Sequence, residues 1–108
     1  MNINELYWLA GILEGEGSFY IRTLSGHRYP TVLVKMTDRD IINRVKDITN
    51  LGTICIKKTL NQNHKDCYQW QVAKTADAVA VMKLVLPLMG ERRSQRIKEL
   101  LREFAGVV

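Results

Sequence analysis

The sequence predicts an α+β domain in which helices cover one face of a four-stranded antiparallel sheet. Three observations support this fold class. The chain of 108 residues is 46% hydrophobic and 25% charged, as expected for one soluble globular domain and too short for two. A predicted helix followed by a predicted β-hairpin occurs twice. Within both hairpins, apolar and polar residues alternate as they do in strands with one buried face. Residues 1–108 are therefore interpreted as a single domain.

The first helix and hairpin lie in the N-terminal third of the chain. Asn4 is the predicted N-cap of a helix that runs through an apolar stretch to Glu14, with two glycines close behind it. This apolar stretch is too short to cross a membrane. The hairpin that follows pairs Ser18–Leu24 with Thr31–Met36, and the turn-rich residues between the two strands form a six-residue connection.

The second helix and hairpin repeat this arrangement. Thr37 is the predicted N-cap, β-branched apolar residues recur at helical spacing after it, and Gly52 ends the helix. The second hairpin pairs Thr53–Leu60 with Asp66–Ala73.

Two helices complete the predicted order. Thr75 caps a helix over Ala76–Leu86, and Pro87 closes it. A basic amphipathic helix then begins at Glu91. The elements therefore run helix, two strands, helix, two strands, helix, helix.

The alternation within the strands assigns each residue to one face of the sheet. The face toward the helices is apolar and contains Phe19, Ile21, Val32, Val34, Met36, Ile54, Ile56, Trp70 and Val72. The opposite face carries polar, basic and amide side chains, namely Tyr20, Arg22, Thr31, Lys35, Thr53, Cys55, Lys57, Gln69 and Gln71, together with Leu33.

The formal net charge of +5 is unevenly distributed. Ser18–Thr37 and Ile48–Lys65 contain no acidic residue, so the six basic residues of the two hairpins, with Lys74 directly after them, meet only Asp66. Like charges on neighbouring strands repel each other, and an anionic partner is therefore expected. Arg, Lys and Gln contact phosphates and base edges, which favours nucleic acid over a merely solvated face. The predicted DNA contacts are Tyr20, Arg22, Arg28, Lys35, Lys57, Lys65, Gln69 and Gln71.

The segment Leu9–Gly17 has two features that the stability of a single domain does not explain. The helix that leads into it is apolar on all sides, so the sheet of one small domain is not enough to cover it. Gly11 and Gly15 leave a smooth strip on which a second copy of the helix could lie closely; a central helix beneath the C-terminal helices is the alternative. The predicted dimer interface is formed by Trp8, Gly11, Ile12 and Gly15.

The second feature is the unfavourable electrostatic position of Glu14 and Glu16. Both lie at the C-terminal end of the helix, where the helix dipole already presents partial negative charge. A divalent cation would offset this repulsion, because carboxylates and free helix-end carbonyls form the hard oxygen site that Mg²⁺ prefers. A solvated pair of glutamates is the alternative.

The stretch Leu9–Gly17, continued by Ser18 and Phe19, resembles the motif of the LAGLIDADG homing endonucleases, with Glu at both acidic positions where Asp is commoner. The predicted order of elements is similar to the α-β-β-α-β-β-α core of that family. Leu86–Arg93 resembles the segment that opens the family's C-terminal helical part. A single copy of the motif occurs, which in this family implies a homodimer.

The resemblance implies roles for individual residues. Glu16 matches the metal-binding catalytic carboxylate of the family, and Gly15 matches the residue whose carbonyl binds a metal. Glu14 matches the first acid, which has a more structural role. Arg92 matches the basic residue that supports the transition state, where Lys is frequent, and Arg93 is the alternative.

The function that the resemblance implies is a site-specific double-strand DNA endonuclease that hydrolyses phosphodiester bonds with Mg²⁺, or with Mn²⁺ in its place. Lys35 matches a polar residue that positions water and completes the predicted catalytic set. A homodimer implies a near-palindromic target, because the protein and its site share a two-fold axis. The alternatives are an intron RNA maturase, a catalytically inactive sequence-specific DNA-binding protein of the same fold, and a generic interaction domain.

Cysteine content and targeting signals bear on location. Two cysteines without a C-x-x-C pair predict free thiols and a reducing compartment. No secretory signal is recognised at the N-terminus. We expect the protein in the cytoplasm, encoded by a prokaryote or a phage, or inside an organelle, not secreted and without a membrane partner.

Overall fold

The computed structural model describes residues 1–104 and Gly106. The elements of these residues run in the order α1 (Ile3–Glu16), β1 (Gly17–Leu24), β2 (His27–Met36), α2 (Arg39–Thr49), β3 (Thr53–Lys57), β4 (Cys67–Val72), α3 (Thr75–Val85) and α4 (Glu91–Glu103), with a 3₁₀ turn at Leu86–Leu88. The strands form one antiparallel sheet in the order β1-β2-β4-β3. The predicted α+β class and four-stranded sheet are confirmed. In the described part of the chain, no helix is both long and apolar enough for a membrane span.

The first hairpin is tighter than predicted. Ser25 and Gly26 form a two-residue turn with φ angles of 52° and 78°, and the strands pair directly on either side of it. A hairpin turn of this kind needs positive φ at both central residues, which glycine adopts freely. β2 therefore begins at His27 and not at Thr31, so the predicted six-residue connection was wrong. As a consequence, Tyr29 lies within the sheet.

Three helices begin one or two residues away from the predicted position. Asn2, not Asn4, caps α1: its side chain accepts a hydrogen bond from the Glu5 amide at 2.8 Å, and the Glu5 carboxylate accepts one from the Asn2 amide at 2.9 Å. Asp38 and Lys74 occupy the N-cap positions of α2 and α3 without a side-chain capping bond. The predicted threonines are their chain neighbours, so the error concerns cap identity and not the existence of the helices.

The end of α2 is set by a different residue from the one predicted. Asn50 ends the helix in a left-handed conformation with φ of 53°, two residues before Gly52. Gly52, with φ of 79°, lets the chain pass close to Trp70, whose Nε1 donates a hydrogen bond to the carbonyl of Leu51 at 2.9 Å. This bond satisfies the only polar atom of a fully buried indole side chain.

The core lies between the helices and the apolar face of the sheet. Most strand residues predicted for this face are buried or partly buried, and Phe19, Val32, Val34, Trp70 and Val72 form part of a single hydrophobic cluster. Ile56 differs from the prediction because it is 45% exposed on β3, an edge strand of the sheet. Thr31 also differs: it is fully buried although it belongs to the opposite face, and its hydroxyl donates to the Tyr29 carbonyl at 3.3 Å.

Candidate nucleic-acid interface and active site

The two glutamates of the motif helix have different environments. Oε1 of Glu14 accepts a hydrogen bond from the amide of Gly90 at 2.7 Å, and Oε2 lies 3.6 Å from Nε of Arg93. Glu16, the last residue of α1, is exposed, and within residues 1–104 no ion pair engages its carboxylate. Glu14 therefore links α1 to α4, whereas Glu16 is accessible to an external cation.

The position of Glu14 corrects the electrostatic interpretation of the motif. Gly90 is the N-cap of α4, so the Glu14 carboxylate lies at the partial positive end of a second helix. This interaction and the nearby Arg93 offset the repulsion at the end of α1 within the fold, and Glu14 needs no cation. A Cβ atom at position 90 would clash with Glu14 Oε1, which explains why glycine suits this cap.

Two arginines fasten the first turns of α4 to the start of β1. Nη2 of Arg93 donates to the carbonyl of Gly17 at 3.3 Å, and Nε of Arg96 donates to the carbonyl of Phe19 at 3.1 Å. The side chain of Arg93 is only 21% exposed. Arg92 is exposed and lines a groove of about 410 Å³ beside Gly17. Arg93 is thus part of the α1–α4 junction, and Arg92 has its guanidinium accessible to a ligand.

The face of the sheet away from the helices presents polar residues in cross-strand rows, and we call it the open face. Its members are Tyr20, Arg22, Lys35, Lys57, Gln69 and Gln71. Direct cross-strand partners are Tyr20 and Thr31, Arg22 and Tyr29, Lys35 and Gln69, Gln69 and Cys55, and Gln71 with Leu33 and Thr53. Lys35 follows Val34, the partner of Gly17, so it lies at the end of the sheet that adjoins Glu16. Six predicted DNA contacts therefore share one surface that begins beside the exposed glutamate.

The other two predicted DNA contacts lie elsewhere. Arg28 is on the helix-covered side of β2, where its guanidinium forms a bidentate ion pair with Glu103 of α4 at 2.8 and 3.0 Å. The hydrogen bonds between these two side chains lower the pKa of Glu103 and raise the pKa of Arg28. Lys65 is exposed in the loop between β3 and β4. Arg28 therefore joins the first hairpin to the last helix.

The Arg28–Glu103 pair predicts an acid-dependent contribution to stability. The pKa of Glu103 in the folded protein lies below its usual value of 4.5, so the unfolded chain binds this proton more tightly. The stabilisation is present above the usual pKa and is lost as the pH falls through the lowered one. We expect Glu103→Gln to lower the thermal midpoint at pH 7, and the difference from the wild type to shrink toward pH 3. Calorimetry at several pH values measures this, and a difference independent of pH would contradict it.

One face of α1 is left uncovered. Gly11 and Gly15 are exposed, and, beyond the neighbouring backbone of α1 itself, a Cβ atom on either would meet no atom of the described residues within 4 Å. Trp8 and Ile12 are partly buried beside them, and the guanidinium of Arg44 lies 4.1 Å from the centre of the Trp8 ring. These four positions of α1 share one side of the helix by their spacing. The apolar helix is thus buried on one side and smooth on the other.

The end of α1 has ligand groups suited to a divalent cation. Glu16 offers an exposed carboxylate, and Gly15 lies in the last turn, where helix carbonyls lack an intrahelical partner. Both are hard oxygen donors, and Mg²⁺ commonly uses one or two carboxylates, several waters and substrate phosphates. Among the described residues there is no cluster of three or more His, Cys, Asp and Glu side chains. The chain therefore offers part of a divalent-cation site at the end of α1.

Solved structures that share this architecture are homing endonucleases. The homing endonuclease I-CvuI, in complex with its target in the presence of calcium, matches 98% of this chain and 71% of its own with a TM-score of 0.76 and 18% identity. The archaeal intron-encoded homing endonuclease I-Vdi141I, complexed with DNA, matches 95% of this chain and 70% of its own at a TM-score of 0.71 and 16% identity. The LAGLIDADG meganuclease I-AabMI, bound to uncleaved DNA, matches 91% of this chain and 34% of its own at a TM-score of 0.66 and 19% identity.

This chain has the LAGLIDADG homing endonuclease fold. No protein-family model and no curated protein sequence matches it, so the relationship is carried by the fold and by the motif in α1. The resemblance inferred from Leu9–Gly17 is confirmed at the level of the fold. Within this LAGLIDADG fold, sequence reasoning missed one aromatic residue of the open face, Tyr29. The dipeptide Ser25-Gly26 was the available signal, because a two-residue turn there extends β2 to include it.

Proposed function

We propose that the protein is a homodimeric, site-specific DNA endonuclease that uses a divalent cation, Mg²⁺ with Mn²⁺ as a substitute. The observation that carries the proposal is the exposed Glu16 carboxylate at the end of a helix whose outer face is apolar and uncovered. Endonucleases bound to DNA are among the solved structures with this fold, which supports DNA as the partner.

The dimer forms through the uncovered face of α1. Gly11 and Gly15 allow the backbone of a second α1 to approach closely, and Trp8 and Ile12 supply apolar contact area beside them. Packing of this kind places the two Glu16 residues on either side of a two-fold axis. The DNA target is then near-palindromic, because each protomer contacts one half of it.

The residues near the proposed two-fold axis have separate roles in the reaction. Glu16 and the carbonyl of Gly15 would hold the cation, and the chemistry it would supply there is activation of water and stabilisation of the charge on the leaving oxygen. Arg92 extends into the groove beside Gly17 and directs its positive charge toward the scissile phosphate. Lys35 orients water by hydrogen bonding from the adjoining end of the sheet. Each protomer cuts one strand.

The open face binds the DNA on both sides of this centre. Lys57 neutralises a phosphate, and the glutamines of the open face present paired donor and acceptor groups that suit base edges. The absence of acidic residues from Ser18–Thr37 and Ile48–Lys65 removes the repulsion that phosphates would otherwise meet.

A cleavage selection tests the proposal. Purified protein is incubated with a plasmid library of randomised inserts in Mg²⁺, and the ends of the cut molecules are sequenced. We expect one near-palindromic site, with no cutting in EDTA. Sequence-specific binding without cutting in Mg²⁺ or Mn²⁺ would instead identify an inactive DNA-binding protein, and RNA-dependent splicing activity would identify a maturase.

Lys57 tests whether the open face contacts phosphates. Each phosphate contact that is lost reduces the slope of log affinity against log salt by about 0.9, so Lys57→Ala should reduce it by about two in a homodimer. Fluorescence anisotropy over a salt series measures the slope. Lys83→Ala is the matched control, because Lys83 is equally exposed but lies on α3. Equal slopes for the two variants would place the DNA on another surface.

A further inference from the structure

The far end of the first hairpin contains an arginine held over an aromatic ring. Arg22 of β1 and Tyr29 of β2 are direct cross-strand partners on the open face. The Cζ atom of Arg22 lies 5.1 Å from the centre of the Tyr29 ring, within the range of a cation–π interaction. The ring of His27 lies 6.5 Å from that of Tyr29 and supports it from the next open-face position of β2. No other basic residue of the open face is held in this way among the described residues.

The hydrogen-bonding capacity of this guanidinium is not used by any other residue in the described part of the chain. Within residues 1–104, Nε of Arg22 is buried and has no hydrogen-bond partner, while the residue as a whole is partly exposed. The outward donors are therefore the two Nη groups. By contrast, Arg28 donates to Glu103, and Arg93 and Arg96 donate to carbonyls of β1. Arg22 is therefore an oriented guanidinium with no hydrogen-bond acceptor among the residues that the structure describes.

The carbonyl of Tyr29 also accepts a hydrogen bond from a buried side chain. The hydroxyl of the fully buried Thr31 donates to it at 3.3 Å, and the two-residue turn at Ser25 and Gly26 prevents the strands from sliding. The ring under Arg22 therefore extends from a backbone whose register in the hairpin is set by the turn. A planar guanidinium fixed on such a support loses little rotamer freedom when it binds, which favours bidentate recognition over loose phosphate contact.

The position of Arg22 along the sheet sets its distance from the proposed dimer axis. Arg22 lies five residues beyond Gly17, where α1 ends. At about 3.3 Å per residue this is about 17 Å along the strand. A DNA strand advances about 3.4 Å per base pair, so the arginine reaches a base about five pairs from the centre of the target.

We propose that Arg22, positioned by Tyr29, recognises a guanine in each half of the DNA target, about five base pairs from its centre. Guanine presents two acceptors, O6 and N7, in the major groove, and these match the paired donors of an arginine side chain. Tyr29 acts as a positioning residue, because its ring orients the guanidinium and does not itself contact the base. This inference rests on the proposed function and adds one element of the target sequence.

Selection of bound DNA tests the inference. The full-length protein is incubated in Ca²⁺ with a DNA library randomised across both half-sites, and bound molecules are sequenced. We expect a symmetric guanine preference of about tenfold or more at one position, four to six pairs from the centre, in line with the usual range for a bidentate arginine. Guanine preference confined to other positions, or none in the bound pool, would overturn the inference while leaving the proposed function intact.

Four variants separate positioning from general binding. Arg22→Lys keeps the positive charge but removes the planar pair of guanidinium donors. The guanine preference should therefore fall about tenfold, while the slope of log affinity against log salt stays unchanged. Tyr29→Leu should reduce the same preference, and Tyr29→Phe should retain it because the ring face remains. Lys57→Ala should weaken binding to all sequences equally. A guanine preference that survives both Arg22→Lys and Tyr29→Leu would overturn the assignment, and a library from which nothing is bound would overturn DNA binding itself.

Discussion

Glu16→Gln is expected to abolish cleavage while folding, dimerisation and DNA binding persist. The amide is isosteric with the carboxylate but carries no charge, so the proposed cation loses its charged protein ligand. Changes to the outer-shell partners of metal ligands already cost about 10–100-fold, so we expect a loss of more than about 100-fold in the nicking rate. Conversion of supercoiled plasmid to nicked and linear forms in Mg²⁺ measures this rate. DNA affinity in Ca²⁺ should change little.

Glu99→Gln is the matched control for this substitution. Glu99 is an exposed glutamate on α4, paired with Arg96 at 3.6 Å one turn away, so its replacement changes the net charge equally without altering the end of α1. An exposed ion pair of this kind contributes less than about 1 kcal/mol. Cleavage by the Glu99 variant should match the wild type. Undiminished nicking by Glu16→Gln would remove Glu16 from the active site.

Gly11→Leu is expected to convert the dimer into a monomer. A leucine at this position projects into the proposed helix-to-helix contact, and the two-fold axis brings two such side chains into it. Overpacking costs about 1–3 kcal/mol per insertion, so the dimer dissociation constant should rise by at least about 30-fold. Sedimentation velocity over a concentration series measures it. Double-strand cleavage should fall with the fraction of dimer.

The fold of a single protomer should tolerate this leucine. Beyond the neighbouring backbone of α1 itself, a Cβ atom on Gly11 meets no atom of the described residues within 4 Å, and replacing glycine within a helix contributes about 0.5–1 kcal/mol of stability. Ala76→Leu is the control, since Ala76 is exposed on α3, away from the outer face of α1. That variant should remain dimeric. A Gly11→Leu protein that is still dimeric, with an unchanged dissociation constant, would refute the α1 interface.

Much of the fold could be predicted because its signals are local. The apolar residues of α2 recur at helical spacing, and the strands alternate, so their element type and buried face follow from periodicity alone. Trp70 and Val72 were correctly assigned to the helix-covered face of β4. Cap positions were less predictable, because Thr37 and Thr75 have the right chemistry but their neighbours Asp38 and Lys74 occupy the caps.

The candidate site was also predictable only where its residues are close together in sequence. Glu16 and the two glycines of α1 were recognisable because the motif is continuous in sequence. The contacts of Glu14 and Arg93 were not, although the resemblance gave Glu14 a more structural role, because their partners lie far along the chain: Gly90 is 76 residues from Glu14, and Gly17 is 76 residues from Arg93. Arg28 counted as one more basic residue of the hairpin until Glu103, 75 residues away, was found opposite it. The catalytic and DNA-contact roles stay predictions.

The sequence by itself determined the elements, the apolar and polar faces of the strands, and the smooth glycine-containing helix, since each depends on residues within a few positions of one another. Only the tertiary structure decided that β2 pairs with β4, that α4 is anchored to the end of α1 through Glu14, and that Arg92 is exposed while Arg93 is mostly buried in the α1–α4 junction. The physical reason is that these features depend on which distant groups meet after the core has formed. The local patterns of a sequence are compatible with more than one tertiary arrangement. The burial of apolar surface selects the arrangement that the chain adopts.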